Sequence, residues 1–242
     1  MQANKTRNLL LKYPLLVFRD IFDYIAPNVC IACGEKKAPI SDAHKFLCNK
    51  CLYSLPYSTS HEILYNKLIT TFGKDKVYLN RVNALLDISN DDKFLALIHS
   101  FKYKGLYESA ETFGEMLGKK LLADGFDDYD AIVPLPIHHA RKRERGYNQS
   151  EYIAMGIAKF LGIEVNTTLV KRSKYTLSQT KLNAAGRRIN LADAFKASPE
   201  ASGKRLLIVD DVMTTGSTLN YCAEALHLQG AAIIDGAAIA AR

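Results

Sequence analysis

Long apolar runs are missing from this 242-residue chain. Leu9, Leu10 and Leu11 give way to Lys12, and Leu15 to Phe18 give way to Arg19 and Asp20, so nothing approaches the ~18 to 20 residues of a membrane span. The same breaks leave no secretory leader, and the expectation is a soluble, cytoplasmic protein. Internal repeats and low-complexity segments are absent too, so the chain is not a repeat array. Cysteine is scarce, five in all, and four of the five fall between residues 30 and 51. Acidic charge is the minority: 32 Lys and Arg face 25 Asp and Glu, a net charge of +7. That balance suits polyanionic partners, nucleic acid or phosphorylated substrates, although a basic surface with no partner has the same composition.

What the chain does have is 48% hydrophobic residues, enough for one good core. Clustered cysteines at one end and alternating patterns beyond residue 80 predict a small module in residues 1–60, a connector over 55–80 and a main domain over 80–242. Near the N-terminus, Leu15, Phe18, Phe22 and Ile25 follow the i, i+3, i+7 rule of a helix with one docking face, and its polar face lacks the run of cations that a membrane-surface helix carries. Strands are predicted at 81–88, 129–134, 163–170, 204–210 and 231–240, and helices at 91–103, 106–124, 149–161 and 217–229. This alternation gives an α/β fold with a mainly parallel sheet flanked by helices.

Cys30, Cys33, Cys48 and Cys51 read C-x2-C-x14-C-x2-C, two knuckles that each offer two thiolates to one tetrahedral zinc, with Gly34 placed for the turn after the first pair. A segment of ~25 residues has too little core to fold unaided, so structural zinc is expected, with disulfides or empty thiols as alternatives. Four sulfurs close the shell and leave His44 outside it. Cys222 shares a helical face with Leu219, Ala223 and Leu226 and is expected as a buried thiol.

The sharpest pattern runs from Leu206 to Thr218: a buried strand, Leu206-Leu207-Ile208-Val209, ending in Asp210 and Asp211, then Thr214-Thr215-Gly216-Ser217-Thr218 opening a helix. Hydroxyls, a flexible glycine and the N–H groups of a helix start suit a phosphate monoester. No G-K-[ST] follows and there is no G-x-G-x-x-G, so this is neither a Walker A loop nor a dinucleotide fingerprint. Two adjacent carboxylates at a strand end repel one another, which points to ligand hydroxyls or a nearby metal rather than to packing.

This segment resembles the PRPP (5-phosphoribosyl pyrophosphate) signature of type I phosphoribosyltransferases. Together with the cysteine module, Phe101-Lys102-Tyr103-Lys104-Gly105, Val133-Pro134-Leu135-Pro136, Arg145-Gly146-Tyr147-Asn148-Gln149-Ser150, Thr176 with Gln179, Arg187 with Asn190, Ala194-Phe195 and Ala240-Ala241-Arg242, the chain resembles the ComF family. The resemblance implies that Asp210 and Asp211 hold ribose hydroxyls and residues 214–218 the 5-phosphate. It also implies that Pro134, Leu135 and Pro136 turn to expose N–H groups to pyrophosphate, unless they form a merely structural proline turn. Arg141, Lys142, Arg143 and Arg145 follow that turn; Arg145 in particular is expected to grip pyrophosphate, and a solvated basic loop is the alternative. Lys171, Arg172, Lys174, Lys181, Arg187 and Arg188 form a second basic stretch, expected as a cover over the site. His138 and His139 are expected at the surface or behind the site, and His99 as structural.

Two functions follow. In the first, magnesium-bound PRPP loses pyrophosphate as a nucleophile attacks C1 through an oxocarbenium-like state. Glutamine-derived ammonia is not expected as the nucleophile, since Met1-Gln2 supplies no N-terminal cysteine and there is no room for a glutaminase domain. In the second, the chain is a competence or DNA-uptake accessory. Its cations interleaved with Tyr147 and Tyr175 would then follow single-stranded DNA, with PRPP or a nucleotide as ligand and DNA-uptake proteins as partners.

Overall fold

The computed structural model describes residues 29–37, 45–58, 60–89, 92–101, 107–173 and 194–242. The expected N-terminal helix, His44, Lys102 to Gly105 and the basic residues between 174 and 193 lie outside the described residues. The chain divides into two compact units, Met1–Leu55 and Pro56–Arg242.

In the first unit Val29 and Lys36 form an antiparallel bridge around a tight turn, closed by Gly34 N–H on the Cys30 carbonyl at 2.8 Å and Cys30 N–H on the Glu35 carbonyl at 2.9 Å. Helix α1 (Asn49–Tyr53) starts immediately after Cys48. Cys30, Phe46, Leu47, Cys51 and Leu55 are its buried apolar residues among those described.

The second unit contains α2 (His61–Phe72), β1 (Arg81–Asp87), α3 (Asp92–Ser100), α4 (Tyr107–Ala123), β2 (Ala131–Pro134), α5 (His139–Arg145) and α6 (Gln149–Leu161). These are followed by β3 (Val170–Arg172), β4 (Phe195–Ala197), β5 (Arg205–Met213), α7 (Ser217–Leu228) and β6 (Ile233–Ala241). Strands β1, β6, β5 and β2, in that order, make one sheet in which every neighbouring pair is parallel. Because side chains alternate along a strand, Leu206 and Ile208 of β5 enter a cluster with Leu64 and Leu68 of α2 and Leu219, Cys222 and Leu226 of α7. Leu207 and Val209 point to the opposite face, where α6 packs on β2 and β5 and α4 packs on α6. Helices on both faces explain why β5 and β6 read as continuous apolar runs.

Several elements differ from expectation. The 55–80 connector contains the twelve-residue helix α2, whose Leu64 and Leu68 bury into the core. Its one apolar stripe is short and broken by Asn66 and Lys67, which hides it from a periodicity reading. Of the strand expected at 163–170, only Val165 bridges β2, through Ile132 N–H on the Glu164 carbonyl at 2.9 Å and Asn166 N–H on the Ile132 carbonyl at 2.8 Å. The paired strand there is β3, which makes an antiparallel ribbon with β4 instead of joining the sheet. Strand β5 does not end at Asp210 but continues to Met213 beside β6.

Candidate functional site

Strand β2 stops at Pro134, opposite Val209, whereas β5 runs on through Asp210 and Asp211. From β2 the chain leads outward to the Val165 edge; from β5 it leads through α7 to β6 on the other side. The carboxyl ends of β2 and β5 therefore flank a topological switch point, the crevice where open α/β sheets take ligands.

Both acids are half-buried there. Asp210 Oδ1 accepts from the Asp211 N–H at 2.9 Å and from Ser150 Oγ at 3.3 Å. Asp211 Oδ1 accepts from the Val212 N–H at 2.8 Å, and its Oδ2 faces Gln149 Nε2 at 3.5 Å. From sequence the acids had no evident partner; the first turn of α6 supplies partners to both, with the positive end of its dipole facing them.

Beyond β5, Thr214 is exposed, Thr215 and Ser217 share a hydroxyl contact of 2.7 Å, and Thr218 is half-buried. Gly216 sits at the N-cap of α7 with φ +72°, a left-handed conformation that side chains other than glycine resist. A Cβ at 216 would lie 2.1 Å from Leu68 Cδ2, so α2 supports the loop from beneath.

Segment 145–150 joins the two strand ends. Gly146 closes α5 in the left-handed region, and the Tyr147 hydroxyl donates to the Phe101 carbonyl at 2.5 Å. Asn148 caps α6, accepting from Ser150 N–H at 3.3 Å, while its Nδ2 donates to the Leu135 carbonyl at 3.0 Å. The 134–136 turn is thereby tied to the acid pair. Its own N–H groups are not the expected pyrophosphate donors: prolines have none, and the Leu135 N–H continues the sheet ladder to the Val209 carbonyl at 2.8 Å.

Positive charge gathers beside Asp210. Arg172 of β3 lies with its guanidinium 5.4 Å from the Phe195 ring centroid, and its pKa is pushed down by burial and then by Arg141, with Asp210 pulling the other way. His138, buried and stacked on His139 with centroids 3.9 Å apart, accepts from the Ala140 N–H through Nδ1. Burial, then His139, Arg172, Arg143 and Arg141, hold its pKa below the usual histidine range. Arg145 ends α5 half-exposed, and its charge acts on Tyr147. His99 is exposed on α3. Cys222 is fully buried and its thiol is pushed up by that burial, as its helical face implies.

In the first unit, the sulfurs of Cys30, Cys33, Cys48 and Cys51 all lie within 4.8 Å of one another, with Cys33 and Cys48 at 3.9 Å. Four sulfurs at ~2.3 Å from a tetrahedral zinc would stand ~3.8 Å apart, so the cluster can hold one metal ion such as zinc. Burial raises the Cys30 thiol, but hydrogen bonds from the Cys48, Cys33 and Ala32 backbone outweigh it and bring it to about 7, nearer the thiolate a metal requires.

Residues 148–242 match the phosphoribosyl transferase domain family. The chain is similar to Competence protein F of Haemophilus influenzae, 40% identical over 104 residues that span 42% of this chain and 45% of that protein. It is also similar to DNA utilization protein YhgH of Escherichia coli K12, 33% identical over 142 residues, 57% of this chain and 63% of the relative. Competence protein ComFC of Bacillus subtilis is 23% identical over 205 residues, 85% of this chain and 80% of that protein. The chain is similar to proteins named for competence and DNA utilization, and its C-terminal part matches a phosphoribosyl transferase domain. The matched stretch spans less than two thirds of the Haemophilus and Escherichia proteins.

The stretch that carried the resemblance now has a physical role. Arg145 to Ser150 is a clasp between β2 and β5, and the matched transferase domain begins within it, at Asn148. Gln149 and Ser150 were not among the expected site residues, although their position in the helix turn after Asn148 was a usable signal; Arg172, expected in a basic cover over the site, comes near Asp210 through the β3–β4 ribbon. Among the described residues, no helix is long and apolar enough to cross a membrane.

Proposed function

We propose that this chain binds PRPP, or a related phosphoribosyl ligand, with magnesium and transfers the 5-phosphoribosyl group with release of pyrophosphate. The observation that carries the reading is the acid pair running past the end of β2, beside a hydroxyl-lined helix start on one side and the Arg141, Arg172 and His138 cluster on the other. Asp210 and Asp211 accept the ribose hydroxyls, and Thr214, Thr215, Gly216, Ser217 and Thr218 take the 5-phosphate. Pro134, Leu135, Pro136 and Arg145 border the pyrophosphate end, where clustered cations become favourable once an anion lies between them. Asp210 and Asp211 are hard oxygen donors of the kind magnesium takes alongside ligand phosphates; when bound, the ion offsets leaving-group charge. The protein's own part is to orient C1 and exclude water.

In the same reading, residues 1–60 form a separate module with structural zinc on the four cysteines, residues 80–242 form the ligand domain, and the protein works in the cytoplasm. Titration calorimetry with magnesium-PRPP, joined to a pyrophosphate-release screen across bases, amines and single-stranded DNA, tests the transfer. No heat at millimolar PRPP would refute it.

A second reading has support of its own: relatives named for competence and DNA utilization, and Arg141, Lys142, Arg143 and Arg145 on one short helix beside the site. Single-stranded DNA then runs along α5, and the chain serves DNA-uptake machinery with PRPP as ligand rather than substrate. Turnover with no DNA effect supports the first reading, and salt-sensitive DNA binding without turnover supports the second.

A further inference from the structure

Asn148 combines two bonds that no shorter or purely acidic side chain can make together. It precedes α6, where its Oδ1 accepts the Ser150 N–H at 3.3 Å while its Nδ2 donates to the Leu135 carbonyl at 3.0 Å. Turning the amide over would set oxygen against oxygen and N–H against N–H, so the orientation is fixed. Capping a helix asks only for an acceptor, and aspartate or serine caps equally well. Aspartate has no hydrogen for the Leu135 carbonyl, and a serine hydroxyl is one atom shorter. Asn148 is 2% exposed and Leu135 3%, so bulk water cannot supply the missing donor. The cap alone does not explain the amide; the tie to Leu135 does.

That tie closes a circuit. The Leu135 N–H donates to the Val209 carbonyl at 2.8 Å, one residue before Asp210, and Ser150 Oγ donates to Asp210 Oδ1 at 3.3 Å. From Asp210 the path runs through Val209, Leu135, Asn148 and Ser150 and returns to the Asp210 carboxylate, joining β5, the turn after β2 and the start of α6. The contacts of Ser150 and Gln149 with the acids, 3.3 and 3.5 Å, are long for hydrogen bonds and hold the helix start weakly by themselves. The shorter Asn148 bond fixes the helix start against the turn, and the turn is fixed to β5 by the sheet ladder.

We infer that Asn148 is a positioning residue: through Leu135 and Ser150 it holds the Asp210 carboxylate in the orientation that receives the ligand, without touching the ligand itself. The inference rests on the phosphoribosyl reading and deepens it. Asp210 Oδ1 is committed to Ser150 and to the Asp211 N–H, so the circuit sets which way the rest of the carboxylate faces.

The test is magnesium-PRPP calorimetry on the full chain, with each variant's affinity divided by that of wild type at the same pH so that ionisation of the ligand cancels. Asn148→Asp keeps the capping acceptor and turns its second oxygen on the Leu135 carbonyl. At pH 8 it should bind about tenfold more weakly than wild type. Burial and the opposed carbonyl raise the pKa of the new carboxyl, which donates to Leu135 once protonated, so the ratio should return toward one by about pH 5.5. Ser150→Ala opens the same circuit at its other joint, and the double variant should bind no more weakly than the weaker single. A residue that only stabilised the fold would move the melt and produce neither the pH-dependent recovery nor the non-additivity. Folded Asn148→Asp that binds like wild type at pH 8 overturns the inference, as does a loss unchanged at pH 5.5 or losses that multiply in the double variant. If Asn148→Asp fails to fold, Asn148→Ser, which keeps the cap and drops the tie, takes its place: wild-type affinity overturns the inference and a loss of about tenfold supports it. No binding by wild type at millimolar PRPP removes the phosphoribosyl reading itself, and the inference with it.

Discussion

Replacing Gly156 by alanine tests how packing far from the crevice governs the site. Helix α6 crosses α4 so closely that a Cβ at 156 would lie 2.1 Å from the Glu111 carbonyl oxygen, 2.7 Å from Glu115 N and 2.9 Å from Gly114 C. All three are backbone atoms, which cannot rotate away. Ordinary contact begins near 3.4 Å, so the helices must part by roughly the difference from 2.1 Å, about 1.3 Å. Overpacking of this kind costs about 1 to 3 kcal/mol, and backbone obstruction belongs at or beyond the upper end. Alanine returns about 1 kcal/mol of helix propensity. The net expectation is destabilisation by about 2 kcal/mol, a fall in Tm of about 4 to 8 °C for a unit of this size. Gln149 and Ser150 lie seven and six residues upstream on α6, about 10 and 9 Å at 1.5 Å per residue, so a tilt of the helix moves the partners of both acids. A misplacement of about 1 Å can lower turnover by roughly 100-fold. Thermal melts, magnesium-PRPP calorimetry and pyrophosphate release on Gly156→Ala read stability, binding and turnover. Met155→Ala, 43% exposed on the same helix, is the control and should stay within about 0.5 kcal/mol of wild type. A Gly156→Ala protein that melts within about 1 °C of wild type and binds equally well would show that the helices tolerate the side chain and that the site does not depend on their separation.

Asp210→Asn and Asp211→Asn should each keep the fold while weakening magnesium-PRPP binding by about 1.5 to 3 kcal/mol, the usual worth of a hydrogen bond to a charged group; unchanged calorimetric affinity in folded variants would end the ribose assignment. Gly216→Val should also lose binding, chiefly because φ +72° and Leu68 together force the loop to move, and its melt should drop where those of the acid variants do not. Elemental analysis of protein purified without added metal should find one zinc per chain, and chelation should unfold the first unit; a stoichiometry near zero would refute the structural-zinc reading. Tyr129 donates to the fully buried Asp235 at 2.6 Å, and burial, then that carboxylate, raises its pKa. Its folded pKa exceeds the unfolded value, so its contribution is complete below about pH 10 and is lost as pH rises beyond; Tyr129→Phe should be less stable at pH 7 but flatter in melts above pH 10. If α5 contacts single-stranded DNA, log affinity should fall with log salt by about 0.7 per phosphate, and Arg141→Ala with Arg143→Ala should reduce that slope in an anisotropy titration.

The amino-acid sequence by itself determined the α/β alternation, the cysteine spacing and the strand, acid pair, loop and helix at 206–218. In each of these the signal is local: a buried parallel strand is continuously apolar, two knuckles need two cysteines each at fixed spacing, and a helix start after a hydroxyl-rich turn is legible within a dozen residues. Side-chain period told the faces apart, which is why Cys222 could be assigned to the core beforehand.

What surrounds the acids was decided only by tertiary structure. Gln149 and Ser150 reach Asp211 and Asp210 across about sixty residues of sequence, because β2 ends early beside β5 and α6 starts over the gap. Arg172 approaches Asp210 because β3 pairs with β4 and leaves the sheet, contrary to the strand expected at 163–170. Helix α2 lay unseen in the connector, since its two buried leucines make a helix only when β1 and α7 provide a surface for them. The Leu135 N–H looked available in sequence and is used by the sheet, a fact set by the register of β2 against β5. Local chemistry fixes which residues are capable of binding; hydrogen-bond register and strand length fix which of them meet, because those depend on partners that sequence distance does not reveal.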